Sequence, residues 1–288
     1  MEDSSVCSSS RKLTRYCVFL FLLFPACSNN PAPGNITGSK DSLAVSPPKD
    51  SSMNVAPITP AFIYDSTKTY IYLTLDDGPQ KGTMNCYNLL KALGVKASFF
   101  MIGVHVDNDY DRKEVSEIRD SYPMFLLCNH SYTHANYNHY HAYYNAPDSA
   151  LRDFEKNEQK LNVPVKIVRT PGNSSWVVNG RIRAPALTKP LCHLFDSNGY
   201  AAAGWDVEWR FRDGDTPIES ANRMISIINQ YARSNDLFVP GHVVILAHDR
   251  MFGRQNYADS LQKVVSVLKA NPHYVFETID HYPGMKGK

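Results

Sequence analysis

Residues Leu73-Thr74-Leu75-Asp76-Asp77-Gly78-Pro79 read LTLDDGP and give the clearest indication of the fold. An apolar run typical of a buried strand ends here in two adjacent carboxylates and a Gly-Pro turn. Asp and Gly are ordinary turn residues, so the stretch alone predicts only a strand that leaves the core. Two neighbouring like charges repel each other, however, and a role for them depends on which other residues they meet.

Similar apolar runs recur from about residue 68 to the C-terminus. Seven strand-like runs are predicted, at residues 70–75, 97–102, 124–127, 165–168, 201–207, 243–246 and 274–276. Helical patterns lie between several of them, at 151–161, at 261–268 and after 216–219 (TPIE), which resembles a capping box with a first-turn Pro. Alternating β and α units imply a parallel sheet. We therefore expect an α/β fold, a distorted (β/α) barrel of about seven parallel strands.

Polar residues stand where these runs end. They are Asp76 and Asp77 after the first run, His130 after the third, Arg169 after the fourth, Asp206 near the end of the fifth and His248 after the sixth. In a parallel β/α architecture all of these ends lie at one face, and that face carries the active site. Residues far apart in the sequence are therefore predicted to converge on one site.

Two histidines in this set have the spacing of metal ligands. The segment 130–134 (HSYTH) places His130 and His134 four residues apart, so they meet on one face of a helix or tight turn. With Asp77 they form a two-His, one-carboxylate set that leaves positions open for water and substrate. The set predicts one divalent transition metal. Two imidazoles favour Zn, with Co, Ni or Fe as alternatives, over Mg or Ca.

Five motifs resemble those of the NodB-like polysaccharide deacetylases, carbohydrate esterase family 4. LTLDDGP resembles the family's TFDDGP motif, HSYTH its HSxxH motif and 169–172 (RTPG) its RxPG motif. Residues 205–209 (WDVEW) resemble a variant of its Asp-Trp motif, and 245–249 (ILAHD) its leucine-x-histidine motif. The resemblance implies a NodB-like barrel and a hydrolase that removes acetyl groups from a polysaccharide. The acetyl group is either the N-acetyl of a GlcNAc-type glycan or the O-acetyl of a xylan-type glycan.

The resemblance also implies a role for each matched residue. Asp76 would be the general base for the attacking water, oriented by Arg169, and His248 would be the general acid that protonates the leaving group. The implied metal ligands are Asp77, His130 and His134. The implied contacts with substrate are Leu246, which would line an acetyl pocket, and Pro171, Gly172 and Trp209.

Two departures from the family pattern concern the surroundings of these residues. The family usually has a Glu and a Gly shortly before the first metal His, whereas residues 126–129 are LLCN. In the fourth motif, Asp206 and Glu208 both qualify to orient His248, and Asp206 is preferred because it lies nearer the start of the motif. The Tyr-rich run 137–144 either packs its loop against the barrel or contacts sugar faces.

Two other function classes stay open. A catalytically silent, glycan-binding surface lipoprotein would keep the aromatic residues and lose the base or a ligand, and here all are present. A non-haem iron enzyme would use the same facial triad, but it would be expected on an antiparallel β-helix and needs no second Asp or distant His.

The N-terminal segment predicts export. Arg11, Lys12 and Arg15 precede the apolar run 16–26 (YCVFLFLLFPA), which is too short to span a bilayer as a mature helix. Cys27 follows it as in a bacterial lipobox, so the predicted signal sequence is 1–27, of the lipoprotein type; cleavage near Ala26 and an uncleaved anchor are the alternatives. Residues 28–67, rich in Ser, Pro and Asn, are predicted to be a flexible tether, and 68–288 the catalytic domain. We expect a cell-envelope lipoprotein anchored through Cys27, or otherwise a periplasmic or secreted protein.

Composition excludes some partners. The formal net charge is +2 with no run of Lys or Arg, which argues against nucleic acid. Cys86, Cys128 and Cys192 form no CxxC pair, so neither a disulfide framework nor a Cys-based zinc site is indicated. The expected partner is an acetylated polysaccharide, with membrane contact only through the N-terminal segment, and the expected state is a monomer.

Overall fold

A computed structural model describes residues 62–285. The predicted signal segment, Cys27 and the tether as far as residue 61 lie outside this range. Phe62 and Tyr64, at the end of the expected tether, are half-buried: Phe62 stacks on the His281 ring at 4.3 Å, and the Tyr64 hydroxyl donates to the His281 carbonyl at 2.7 Å. The folded unit therefore begins before residue 68. Among the described residues no helix is long and apolar enough to cross a membrane.

The strands of the described part are short, apart from two central ones. They are β1 (Thr69–Gly78), β2 (Ala97–Met101), β3 (Phe125–Asn129), β4 (Ile167–Val168), β5 (Trp176–Val178), β6 (Arg181–Arg183), β7 (Ala201–Ala202), β8 (Val207–Glu208), β9 (Phe211–Arg212), β10 (Thr216–Pro217), β11 (His242–His248) and β12 (Tyr274–Phe276).

Within residues 62–285, eight helical segments surround the sheet. They are α1 (Thr83–Leu93), α2 (Asp109–Arg119), α3 (His134–Asn138), α4 (Tyr140–Tyr144), α5 (Pro147–Leu161), α6 (Lys189–Ser197), α7 (Ala221–Tyr231) and α8 (Gln255–Lys269). Three 3₁₀ turns complete the set, at Gly103–His105, Asp249–Phe252 and Ile279–His281. The helices predicted at 151–161 and 261–268 are present.

The main sheet has the order β6-β5-β7-β4-β3-β2-β1-β11-β8, and β12 pairs with the start of β1. Every pairing in it is parallel except those of β5 with β6 and β7. The described strands thus form a mixed, curled sheet open between β6 and β8, a half-barrel with helices around it. The expectation of an α/β fold with a distorted barrel is confirmed. The antiparallel hairpin β5–β6 was not expected, although its turn, Asn179-Gly180 with φ of 48° and 75°, is the typical two-residue hairpin signal.

The run at 201–207, predicted as one strand, is two strands in different parts of the sheet. β7 pairs with β4, whereas β8 pairs with β11. The link between them is held by the guanidinium of Arg169, which donates to the carbonyl oxygens of Ala203 at 2.9 Å and Gly204 at 3.0 Å. The carbonyl oxygens of Ala203 and Gly204 therefore accept hydrogen bonds from a side chain. At this point the chain crosses from one side of the barrel to the other.

The helix predicted to start at 216–219 begins later. Thr216 and Pro217 form β10, and α7 starts after Ser220, whose side chain accepts from the Arg223 amide. Glu219 is not a capping residue because its carboxylate is buried and accepts from Arg210, at its backbone nitrogen (3.0 Å) and at Nε (2.7 Å).

Alternation along β1 separates two layers of core. Ile71, Leu73 and Leu75 belong to the cluster packed with α1, α7 and α8, while Tyr70 and Tyr72 belong to the cluster on the other face. Because side chains alternate along a strand, Thr74 and Asp76 lie on the second face with Tyr72. That face is the interior of the half-barrel, where Arg169 and Phe100 also lie.

Candidate active site

A bulge at the end of β1 explains how two neighbouring carboxylates serve one site. The register of β1 against β2 shifts between Asp76 and Gly78, and Asp77 has a φ of 77°. A bulge re-aims the side chain at the extra residue, so Asp77 faces the mouth of the barrel instead of the opposite layer. Both side chains are buried, with Asp76 2% and Asp77 7% exposed.

Asp76 is paired with a fully buried arginine. Arg169 Nη1 donates to Asp76 Oδ1 at 2.8 Å and to the Thr74 hydroxyl at 2.7 Å, in addition to the two backbone carbonyls of the β7–β8 link. Its guanidinium lies 4.2 Å from the centre of the Phe100 ring. Because its neighbours lie in the core, the buried guanidinium of Arg169 restricts Asp76 to one orientation.

The second carboxylate meets the two predicted histidines. Asp77 Oδ1 lies 3.4 Å from His130 Nε2 and 3.3 Å from His134 Nε2, and the potential ligand atoms of the three residues lie within 4.8 Å of one another. His130 Nδ1 donates to the Arg169 carbonyl at 3.0 Å, and His134 Nδ1 to Asn138 Oδ1 at 2.6 Å. With the protons on Nδ1, both Nε2 lone pairs face Asp77, which is how outer partners orient metal-binding histidines.

The donor set fits a divalent metal. Asp77 Oδ1 is buried and accepts no hydrogen bond from a described residue, and a cation between it and the two imidazoles would satisfy it. The protonation states agree in two of the three residues. Burial raises the pKa of the Asp77 carboxyl, but His130, His248 and His134 outweigh it and hold the pKa below its usual range. Burial, together with the charge of His130, lowers the pKa of His134 to about 4.

His130 is the exception. Burial lowers the pKa of its imidazole, but Asp76 and Asp77 outweigh burial and raise the pKa above its usual range. Since a ligating imidazole must be neutral, metal binding at His130 competes with a proton and becomes stronger as the pH rises.

Helix α5 fixes the loop that carries both histidines. Asp153 Oδ2 accepts at 3.1 Å from the amides of Tyr132 and Thr133, from the Thr133 hydroxyl and from the Tyr143 hydroxyl. One turn later, Asn157 Nδ2 donates at 2.8 Å to Asn129 Oδ1, which also accepts from the Ser131 amide. Asn129, the last residue of the LLCN segment, therefore supports the loop that carries the two histidines, and Asp153 and Asn157 of α5 make the other contacts.

The backbone after His134 is strained. Residues 134–138 all have φ between 51° and 70°, the left-handed region, although none is glycine. Such a conformation costs L-residues free energy and persists only where neighbouring contacts impose it. Here Thr133 Oγ1 accepts from the Asn136 amide at 2.9 Å, and Asn138 Oδ1 accepts from both His134 and the Tyr140 hydroxyl.

His248 closes the site on the opposite side. It is paired in register with Asp76 across β1 and β11, and its Nε2 lies 3.9 Å from Asp77 Oδ2. Its ring contacts Phe211 edge-on at 4.9 Å, and its buried Nδ1 has no hydrogen-bond partner among residues 62–285.

The expectation that Asp206 orients His248 is wrong in the geometry of this structure. Asp206 Oδ2 accepts from the Val244 amide at 2.9 Å and Oδ1 from the Phe238 amide at 3.4 Å. The register of β8 against β11 places Asp206 beside Val244, four residues before His248, which is about 13 Å along a strand. Burial raises the pKa of the Asp206 carboxyl. Glu208 is exposed and makes no hydrogen bond to His248.

The candidate substrate residues have different positions. Trp209 belongs to the core, because it is 1% exposed, its Nε1 donates to the Glu219 carbonyl at 2.9 Å and its ring packs on Phe252. The expectation that Trp209 contacts substrate is therefore wrong for this structure. Leu246 is buried in β11. Pro171 is also buried and its carbonyl accepts from the Tyr144 hydroxyl at 2.6 Å. Gly172 has a φ of 66° and lies against the Tyr140 ring, where a Cβ would approach to 2.9 Å.

The Tyr-rich run mainly packs its loop. Tyr143 and Tyr144 are buried and hydrogen-bonded to Asp153 and Pro171, whereas Tyr137 is 62% exposed. Cys86, Cys128 and Cys192 are buried free thiols.

Sequence reasoning missed several residues at the mouth of the barrel. A cavity of about 260 Å³ opens beside Asp77 and His134 and is also lined by Gln80, His105 and Arg250. The imidazole of His105 donates from Nδ1 to the Asp77 carbonyl at 2.8 Å. His105 comes shortly after β2 and Arg250 two residues after His248, so extending the strand-end rule by a few residues would have found both.

A buried third carboxyl lies behind the DDG bulge. Asp249 accepts from the Thr83 hydroxyl and from Gln80 Nε2, the latter at 2.7 Å. Burial raises the pKa of this carboxyl to about 8, against the effect of the two hydrogen bonds. It therefore holds a proton at neutral pH.

Known proteins are similar to this chain in sequence and in fold. A family model described as polysaccharide deacetylase matches residues 64–182, which contain the first three motifs. Putative polysaccharide deacetylase YheN of Bacillus subtilis is 26% identical over 150 residues, which is 50% of this chain and 47% of that protein, so the match spans about half of the relative's length. Chitin disaccharide deacetylase of Vibrio alginolyticus is 24% identical over an alignment of 317 positions, gaps included, which covers 77% of this chain and 73% of the relative.

Solved structures agree on the architecture. The catalytic domain of a peptidoglycan N-acetylglucosamine deacetylase from Eubacterium rectale superposes with a TM-score of 0.57 at 23% identity, covering 80% of this chain and 97% of that one. A likeness at this identity establishes the fold, a NodB-like curled half-barrel surrounded by helices. In its matched segment 64–182 and in its fold, the chain is similar to the polysaccharide deacetylases of carbohydrate esterase family 4.

Proposed function

We propose that this protein is a metal-dependent hydrolase that removes acetyl groups from a polysaccharide. The observation that carries the proposal is the convergence of Asp77, His130 and His134 on one point, beside an arginine-held Asp76 and opposite His248. The names of its relatives, which include a chitin disaccharide deacetylase and a peptidoglycan N-acetylglucosamine deacetylase, support the same reaction class.

The residues divide the reaction between two sides of the site. When bound by Asp77, His130 and His134, a divalent metal lowers the pKa of water and polarises the acetyl carbonyl. Asp76 accepts the proton of the attacking water, and Arg169 keeps its carboxylate in place. His248 donates a proton to the departing amine or alkoxide, which leaves poorly without one. Acetate and the free amino or hydroxyl group of the sugar are the products.

Zinc is the proposed metal, with Co, Ni or Fe able to occupy the same donors. Two imidazoles and one carboxylate suit these ions, whereas Mg and Ca prefer oxygen ligands throughout. Metal analysis of the purified protein, with and without chelator, tests this assignment.

The deciding experiment is acetate release from a panel of glycans. Acetylated chitooligosaccharide, peptidoglycan and acetylated xylan are each incubated with the zinc-loaded protein, and Asp76→Asn serves as the control. Release from any of them that is lost in the control supports the proposal and identifies N- or O-deacetylation. Binding of a glycan without acetate release would instead support the silent glycan-binding alternative, which the unpartnered Nδ1 of His248 favours.

The N-terminal segment extends the proposal to location. We propose that the protein is exported and anchored in the cell envelope through lipidated Cys27, and that it acts as a monomer. Metabolic labelling with a fatty acid, compared between the natural chain and Cys27→Ala, tests the anchor. Loss of label and release from the membrane fraction are expected for the variant, and unchanged membrane association would contradict the proposal. Light scattering of the folded part tests the monomer.

A further inference from the structure

Arg250 stands on a rigid part of the barrel mouth. It belongs to the 3₁₀ turn Asp249–Phe252 that directly follows β11, and Asp249, Met251 and Phe252 on either side are fully buried. Asp249 is further tied to Thr83 and Gln80. The backbone of the turn is therefore fixed, and the Arg250 side chain lines the same cavity as Asp77 and His134.

The guanidinium of Arg250 is positioned but not saturated. Its Nε lies 2.9 Å from Asp215 Oδ1, and its carbon lies 5.7 Å from the centre of the Phe211 ring, the same ring that contacts His248. Neither Nη1 nor Nη2 donates to a side chain or carbonyl among residues 62–285, and Nε has no well-aligned acceptor. The outer edge of the guanidinium is thus available to a ligand in the cavity.

Stability alone does not account for the pair. The side chains of Arg250 and Asp215 are 41% and 42% exposed, and ion pairs of such exposure contribute little to folding. Arg250 is moreover the one Lys or Arg that lines this cavity in the described part of the chain. A guanidinium presents a planar fork of donors that matches a carboxylate, which a Lys ammonium does not.

We propose that Arg250, held by Asp215 and Phe211 at the cavity shared with Asp77 and His134, binds a carboxylate of the substrate. The inference rests on the proposed function and narrows it: the preferred substrate is an acidic acetylated glycan. The carboxylate belongs either to an ether-linked lactyl group on the acetylated sugar or to a neighbouring uronic acid. Both sources present the same planar anion within one sugar residue of the acetyl group.

The test compares each acidic glycan with a neutral twin. The probes are a muramyl disaccharide and an N-acetylhexosamine–glucuronate disaccharide, each with its carboxyl-amidated form. For the natural protein, kcat/KM is expected to be higher for an acidic form than for its amide, and Arg250→Ala is expected to lower that ratio about ten- to a hundredfold, the worth of one charge-assisted fork. The acid that shows the effect identifies the source of the carboxylate.

Two further variants test whether the effect on the acid-to-amide ratio is specific to the guanidinium of Arg250. Arg212→Ala removes the same charge from an exposed residue of β9 that does not line the cavity, and its ratio should equal that of the natural protein. Arg250→Lys keeps the charge without the fork and should give an intermediate ratio. Three results would overturn the proposal: an acid-to-amide ratio of kcat/KM near one in the natural protein for both glycans, the same ratio in Arg250→Ala as in the natural protein, or the full natural ratio in Arg250→Lys.

A binding measurement separates this inference from the proposed function. Asp76→Asn is titrated calorimetrically with each acidic glycan and its amide, with and without Arg250→Ala. If no glycan is deacetylated but the acid still binds more tightly through Arg250, the carboxylate site stands and the proposed hydrolysis fails. If acetate is released from acid and amide equally and binding does not depend on Arg250, hydrolysis stands and the carboxylate site fails.

Discussion

Replacing Arg169 by methionine is expected to destabilise the protein strongly. The change removes a fully buried guanidinium that donates to Asp76, Thr74 and two backbone carbonyls, while methionine keeps much of the apolar volume beside Phe100. Asp76, 2% exposed, is left as a buried carboxylate without its cation. Breaking a buried ion pair from one side costs about 3–5 kcal/mol.

Thermal and urea unfolding measure this loss. For a domain of this size about 1 kcal/mol corresponds to 2–4 °C, so the midpoint should fall by about 6–20 °C. Thr74→Val is the matched control, because it removes the two hydrogen bonds of the Thr74 hydroxyl, with Arg169 and with the Ile245 carbonyl, but no charge, and should cost only about 1–2 kcal/mol.

A double-mutant cycle identifies the cause. Asp76→Asn removes the charge that Arg169→Met strands, so the double variant should be more stable than the sum of the single effects predicts, by about 0.5–3 kcal/mol. Strict additivity, or a loss below about 1 kcal/mol for Arg169→Met, would refute the account of a buried pair that holds Asp76.

Three further outcomes are expected. Asp153→Ala should weaken zinc binding about ten- to a hundredfold in a chelator competition, because the support of the HSYTH loop is lost, whereas exposed Arg152→Ala should not; equal affinities would contradict this. His248→Asn should slow acetate release from an N-acetyl glycan about 10²–10⁴-fold but spare 4-nitrophenyl acetate, whose leaving group needs no proton, and equal losses would refute its role as the acid. The pKa of Asp249 is about 8 in the folded state, against 3.8 as its ordinary value, so the natural protein should lose stability as the pH rises between these two values. Asp249→Asn should make the free energy of unfolding in urea depend less on pH over this range. An unchanged pH dependence would refute the buried acid.

The strand-end rule found most of the site from the sequence. Asp76, Asp77, His130, Arg169 and His248 all lie at one mouth of the half-barrel, because parallel strands bring their C-terminal ends to one side. The rule depends only on chain direction and on recognising apolar runs, and both are visible in the sequence.

The strand-end rule failed for residues whose position depends on the three-dimensional path of the chain and not on the pattern of apolar residues. The run 201–207 looks like one strand, but the buried Arg169 draws its middle across the barrel and β8 pairs in a register that leaves Asp206 far from His248. Trp209 looks like a sugar platform and is core, since an aromatic residue beside a motif has the same sequence signature in either role. Arg250 was missed because the strand-end rule was applied only to the residues at the strand ends, and Arg250 lies two residues beyond His248.

The two adjacent carboxylates are expected to act differently, Asp76 as the proton acceptor and Asp77 as a metal ligand, and a joint measurement of metal content and turnover distinguishes the two roles. Bound zinc and acetate release are determined together for the natural protein, Asp76→Asn and Asp77→Asn on an acetylated glycan that the natural protein hydrolyses. Asp76→Asn should keep its zinc and lose turnover by about 10²–10⁴-fold, since only the proton acceptor is gone. Asp77→Asn should lose zinc and regain part of its activity in excess metal. Loss of zinc from Asp76→Asn with zinc retained by Asp77→Asn would reverse the two roles, and full activity in both variants would contradict the claim altogether.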